Sequence, residues 1–139
     1  MHLLIDGFGG DAEKMKSKDM VYHFLDTFPS KIEMNKISEP QVTVYHGPNP
    51  EDLGVSGFVM IAESHISVHT FPDRSYVNID VFSCKDFDAP KVLSIIIEEF
   101  QLAKVKRWII GRGLNYSTPP SSSSVSRGRA KATVLDGGK

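Results

Sequence analysis

One cysteine and one tryptophan stand in a chain of 139 residues, and neither sign of charge prevails, with 16 lysines and arginines against 17 aspartates and glutamates. With Cys84 alone, an intrachain disulfide framework is excluded and a cysteine-based zinc cluster nearly so. The formal net charge of −1 argues against an electrostatic grip on nucleic acid or anionic lipid. No apolar run approaches the roughly 20 residues of a membrane span, and the opening MHLLIDGFGG has no basic leader. We therefore expect a soluble, cytoplasmic protein without nucleic-acid or membrane partners, acting on a small molecule.

What is present fits one domain with an ordinary core. HLLIDGF, residues 2–8, reads as a strand closed by Gly9 and Gly10. Behind the cap Ser17, residues Met20, Val21, Phe24, Leu25 and Phe28 recur at helical spacing, and Pro29 is expected to stop that helix. QVTVYHG alternates like a strand and HGPNPEDLG is a loop. GFVMIAE, HISVHTF and SYVNIDVFSC then follow as an antiparallel meander. Asp86 or Asp88 caps a second helix with Pro90 in its first turn and Val92, Leu93, Ile96, Ile97 and Phe100 as its buried stripe. KVKRWIIG closes the order as a last strand. The expected fold is α+β, a two-layer α/β sandwich over residues 1–113 with a mostly antiparallel sheet and two helices on one face. From Leu114 onward the chain is rich in Ser, Pro, Gly and Arg without an apolar period, so residues 114–139 are expected to form a disordered tail.

The stretch AESHISVHTF, residues 62–71, concentrates reactive side chains in one strand. Three chemistries compete for it. His65 and His69 would share a strand face but lie about 13 Å apart, too far for one metal ion, so no metal is expected. A hydrolase triad would take Ser64 or Ser67, His69, and Asp73 or Asp80, yet no G-x-S-x-G elbow surrounds either serine. GFGGD, lacking a following Lys-Ser/Thr pair, is a turn rather than a phosphate loop. In the third chemistry the Ser64 hydroxyl attacks the Glu63 carbonyl, giving an ester. A base then removes the Ser64 α-proton, the chain breaks by elimination, and a pyruvoyl group remains at the new N-terminus. Its carbonyl forms a Schiff base with an amine and accepts the electrons released as carbon dioxide leaves.

GVSGFVMIAESHISVHTFPDRSYVNIDVFSC, residues 54–84, resembles the self-cleaving segment of the bacterial and archaeal S-adenosylmethionine decarboxylase proenzymes. It carries in order G-V-S-G, E-S-H, H-T-(aromatic)-P-(acidic) and D-x-F-x-C, and HLLIDGF resembles the family's opening strand. The resemblance implies cleavage between Glu63 and Ser64 into chains 1–63 and 64–139, with the pyruvoyl cofactor made from Ser64. It implies His69 as the processing base, Ser56 as its assistant and Cys84 as proton donor after decarboxylation. A free thiol titrates at about 8.5, so at neutral pH it holds a proton to give. The implied setting is polyamine (spermidine) biosynthesis, with a small-molecule amine substrate and a homodimer whose site both copies build.

Phe71 stands where the family usually has tryptophan, Asp73 where it has glutamate, and Pro50 where a second aromatic is usual; the resemblance implies substrate binding by Phe71 and Asp73. Relatives without the nucleoside-binding pattern resemble pyruvoyl-dependent decarboxylases of arginine or ornithine, whose cationic groups Asp6, Glu51, Asp52 or Asp73 would suit. An uncleaved, non-catalytic binding homologue is the other alternative. Plainer roles also exist: strand histidines bonded to neighbours, Cys84 as a small buried hydrophobe, Ser56 at a strand entry, Phe71 in a core and Asp73 in a turn. Finally, Ser64 and His69 differ in parity, so a regular strand points them to opposite faces. For His69 to act on Ser64, a bulge or chain break must intervene, or His69 acts from a neighbouring subunit or through a water.

Overall fold

A computed structural model describes residues 1–112 and the strand Thr133–Leu135. The strands are β1 (His2–Phe8), β2 (Gln41–Tyr45), β3 (Gly54–Ile61), β4 (Ser64–Phe71), β5 (Tyr76–Ser83), β6 (Lys104–Ile110) and β7 (Thr133–Leu135), in the spatial order β2-β3-β4-β5-β1-β6-β7. Every pairing is antiparallel. The helices are α1 (Ala12–Lys16), α2 (Lys18–Lys31) and α3 (Ala89–Phe100). The expected α+β sandwich is therefore the observed one.

Alternation decides which face is covered. Leu3 and Ile5 of β1, Ile66 and Val68 of β4, and Ile79 and Val81 of β5 are fully or almost fully buried on the helix side. Against them α2 lays Val21, Phe24, Leu25 and Phe28, and α3 lays Val92, Leu93, Ile96 and Phe100. Phe24 stacks on Phe28 at 4.6 Å and meets Phe100 edge-on at 5.0 Å, locking the two helices together. Ser17 accepts from the Met20 N–H and Asp88 from the Lys91 N–H, so both expected caps form, with Asp88 rather than Asp86 at the second.

The structure overturns one sequence expectation and adds two features. Pro29 does not stop α2 but lies inside its last turn: the ring is buried, and its carbonyl accepts from the N–H groups of Ile32 and Met34. A short α1, capped by Asp11, fills the segment between β1 and α2. β1 enters the interior of the sheet between β5 and β6, a position for which the sequence carries no signal. The expected tail lies outside the described residues apart from β7, which pairs with β6.

The other sheet face carries no helix, and cross-strand neighbours form transverse rows on it. One row runs Thr43, Ser56, His69, Asn78, Asp6, Lys106 across six strands. Another runs Met60, His65, Phe82, His2, Ile110. Residues directly opposite share a face, so each row is a line of neighbouring side chains.

Candidate active site

The candidate residues gather at the two ends of β4. At its start the hairpin from β3 turns through Ala62 and Glu63, and Ser64 holds φ at 154°, a region that side-chain-bearing residues rarely adopt. Register sets Ser64 opposite Ile61 and Ser83. The Cys84 N–H donates to the Glu63 carbonyl at 3.4 Å, so the half-buried thiol residue adjoins the Glu63-Ser64 junction. The Met1 amino group donates to the Ser83 carbonyl at 2.6 Å, anchoring β1 beside it.

Around this end the Phe82 ring lies 5.7 Å from His65 and 5.3 Å from His2, with the Arg112 guanidinium 4.3 Å from its centre. Burial pushes the His2 imidazole below its ordinary 6.5, partly offset by the carboxylate of Asp80. Behind the hairpin, on the helix side, lies a cavity of 260 Å³ bordered by Asn35, Ala62, Ser83, Phe87 and Lys91.

At the far end of β4, His69 lies opposite Ser56, and its Nδ1 is 2.9 Å from the Ser56 Oγ. Beside them Asn78 Nδ2 donates to Asp6 at 2.7 Å and to the Tyr76 hydroxyl at 2.6 Å. Burial pushes the Tyr76 phenol up. Phe71 stacks on Tyr76 at 5.5 Å, and Tyr76 meets Phe8 at 5.1 Å, giving a three-ring aromatic ladder across β4, β5 and β1. Asp73, in the turn Pro72–Arg74, pairs with Lys16 at 3.7 Å. Arg74 pairs with Asp52 at 3.7 Å, which brings the turn Pro50–Asp52 alongside. An open groove of 410 Å³ beside Thr43, Ser56, Phe58, Ser67 and His69 borders this end.

Ser56 and His69 are thus brought together, as are Glu63, Ser64 and Cys84, and as are the segments of Pro50, Phe71 and Asp73. Ser64 and His69 are not. The ladder from Ser64↔Ser83 to Phe71↔Tyr76 runs without a bulge, so the two are five residues apart, about 16 Å, and on opposite faces. A bulge that would reconcile their parity does not exist in β4. No hydrolase triad forms either: Ser67 faces Asp80, Asp73 faces Lys16, and His69 binds Ser56. Among the described residues no group of three His, Cys, Asp or Glu side chains is placed to hold a metal ion, and no helix is long and apolar enough to cross a membrane. Sequence reasoning did not anticipate Tyr76 between Phe71 and Phe8, or Phe82 between His65 and His2. Each is an alternating strand position, but the pairing of β1 with β5 has no local signal.

Comparison with known proteins sets this one-sided antiparallel sandwich in a class, the pyruvoyl-dependent carboxy-lyases. The sequence model described as S-adenosylmethionine decarboxylase matches residues 1–113, and the chain belongs to that family. It is 31% identical over 113 residues to the S-adenosylmethionine decarboxylase proenzyme of Archaeoglobus fulgidus, covering 81% of this chain and 96% of that one. It is 31% identical over 114 residues to a Clostridium botulinum proenzyme of the same name, covering 80% and 93%. The crystal structure of the adenosylmethionine decarboxylase from Aquifex aeolicus superposes with a TM-score of 0.61 at 27% identity, over 76% of this chain and 83% of that one. The arginine and ornithine alternatives gain no support from these relatives.

Proposed function

We propose that this chain cuts itself between Glu63 and Ser64 and then removes carbon dioxide from S-adenosylmethionine in the cytoplasm, as a step of polyamine synthesis. The observation that carries the proposal is the strained Ser64 at a hairpin whose Glu63 carbonyl accepts from Cys84. In the first step the Ser64 Oγ bonds to the Glu63 carbonyl carbon, the C–N bond breaks, and the hydroxyl proton passes to the released amine. A base next takes the Ser64 α-proton, the Cβ–Oγ bond breaks and Glu63 leaves as a carboxylate. Water then converts the resulting dehydroalanine to a pyruvoyl group and ammonia. That group supplies an electrophile for an amine and a sink for the electrons freed by decarboxylation. The residues around it fit this use, with Cys84 holding a proton at Sγ for the carbon that has lost its carboxylate.

A general base must come within about 3 Å of the proton it takes, and about 16 Å separates His69 from its own Ser64. Of the two routes left, a bridging water or a neighbouring subunit, we favour the His69 of a second copy as the base. The helix-free face supports this, since Phe58 and Met60 stand 45% and 46% exposed there, next to the groove at His69. A two-fold dimer sets each copy's Ser64 end against its partner's His69 end and makes two equal sites.

Substrate choice follows from what the carboxylates already hold. Asp6 accepts from Asn78, Asp52 pairs with Arg74 and Asp73 with Lys16, which leaves Glu51, exposed on the turn Pro50–Asp52, as a single carboxylate rather than a convergent acidic socket for a guanidinium. The Phe71–Tyr76–Phe8 ladder offers an aromatic platform instead, suited to a nucleobase and a sulfonium. Denaturing mass spectrometry of the purified protein tests the first part: two fragments split before residue 64 are expected, and a single 15.4 kDa species after prolonged incubation would overturn it. Carbon dioxide release from S-adenosylmethionine, and none from arginine or ornithine, is the expected result for the second.

A further inference from the structure

Thr70 is 2% exposed, one of two buried polar side chains among the described residues, and main-chain groups of two other elements converge on its hydroxyl. The Val55 N–H donates to Oγ1 at 2.9 Å, and Oγ1 donates to the Met15 carbonyl at 2.7 Å. The Val55 carbonyl lies at 3.3 Å. Each contact has a local cause. The paired register of β3 and β4 ends at Ser56↔His69, so the next step of the ladder is made by a side chain. Gly54 permits the approach, because a Cβ there would lie 2.2 Å from the Thr70 carbonyl oxygen. The Met15 carbonyl is unclaimed within its helix because α1 ends at Lys16.

The hydroxyl therefore ties α1, β3 and β4 together at one point. That point is flanked by His69 and Phe71 on β4 and by Ser56 on β3. Thr70 itself faces the core while His69 faces the open side, so it touches none of the reacting atoms. We infer that Thr70 is a positioning residue for self-processing, through which α1 and the end of β3 hold Ser56 in register with His69. This rests on the proposed self-cleavage. A valine has the same shape but leaves the Val55 N–H and the Met15 carbonyl buried without partners, and both regain partners only by shifting. The Ser56 Oγ to His69 Nδ1 contact of 2.9 Å does not survive such a shift of β3.

The test follows self-cleavage of the freshly purified full chain by denaturing mass spectrometry, with and without neutral hydroxylamine, which cuts an accumulated Glu63-Ser64 ester to a Glu63 hydroxamate. Thr70→Val is expected to cleave about tenfold to a hundredfold more slowly, with hydroxylamine releasing the stalled ester. Thr70→Ser, which keeps the hydroxyl, restores a rate near that of the unaltered chain. Ile96→Val, a core change in α3, lowers the melting temperature without slowing cleavage. Equal rates for Thr70→Val and the unaltered chain overturn the inference, as does slowing by Ile96→Val to the same degree at matched stability. Should Thr70→Val fail to fold, Asp11→Ala removes only the cap of α1, and a rate reduced about a few-fold is expected; an unchanged rate overturns the inference. An unaltered chain that never cleaves overturns the self-processing proposal itself, and this inference with it.

Discussion

The two ends of β4 are built for different work. At the Ser64 end the main chain is strained, the neighbouring thiol is half-buried, and two imidazoles flank one phenylalanine ring. At the Phe71 end the backbone is regular up to the final turn, His69 is solvent-exposed, and its partner is a hydroxyl on the adjacent strand. The proposal assigns cutting to one end and proton transfer to the other, yet a straight strand holds them about 16 Å apart. The contrast teaches why the proposal needs a second copy: within one chain the Ser64 end and the His69 end do not meet.

Changes at the Ser64 end break the contrast most severely. Ser64→Ala removes the hydroxyl proposed to attack the Glu63 carbonyl, so both self-cleavage and decarboxylation are expected to vanish, as read by mass spectrometry and carbon dioxide release. Cys84→Ala separates the steps: cleavage persists while kcat falls by about a hundredfold or more, and a normal kcat would contradict the proton-donor role. A smaller effect belongs to the other end. Phe71→Ala removes one rung of the aromatic ladder and is expected to raise KM about tenfold while leaving kcat largely intact.

The smallest effect concerns His2. Burial holds its folded-state pKa below the ordinary 6.5, so the unfolded chain takes up the proton first. The stability contributed by neutral His2 is present in full above 6.5 and drains away as the pH falls through the folded-state value. The melting temperature should therefore drop less steeply on acidification in His2→Gln than in the unaltered chain. Parallel curves would show that the half-buried imidazole has no such part.

Much of this was legible in the sequence because the signals are local. Alternation in HLLIDGF and SYVNIDVFSC, and the helical stripes behind Ser17 and Asp88, depend on a few neighbours and survive folding unchanged. The meander β3-β4-β5 followed from short turns, and E-S-H with the trailing S-C marked the candidate residues. What was not legible depends on long-range pairing. The insertion of β1 between β5 and β6 brings His2 to Phe82 and Phe8 to Tyr76, contacts some 70 to 80 residues apart in sequence. The five-residue α1 buries only Met15, too little for a periodic signal, although it braces both Thr70 and Asp73. Pro29 misled because a proline near a helix end gives up one hydrogen bond, which burial of its ring outweighs.

The division of labour between copies is tested most directly by mixing two defective chains. His69→Ala and Ser64→Ala, each alone, are expected to stay uncut. Refolded or co-expressed together, they form mixed pairs in which the intact His69 of the Ser64→Ala chain faces the intact Ser64 of the His69→Ala chain. Roughly half of the His69→Ala chains then find such a partner, and those chains are expected to split before residue 64 while the Ser64→Ala chain remains whole. Efficient cleavage of His69→Ala alone, or no cleavage in mixed pairs shown to have formed, would contradict the account.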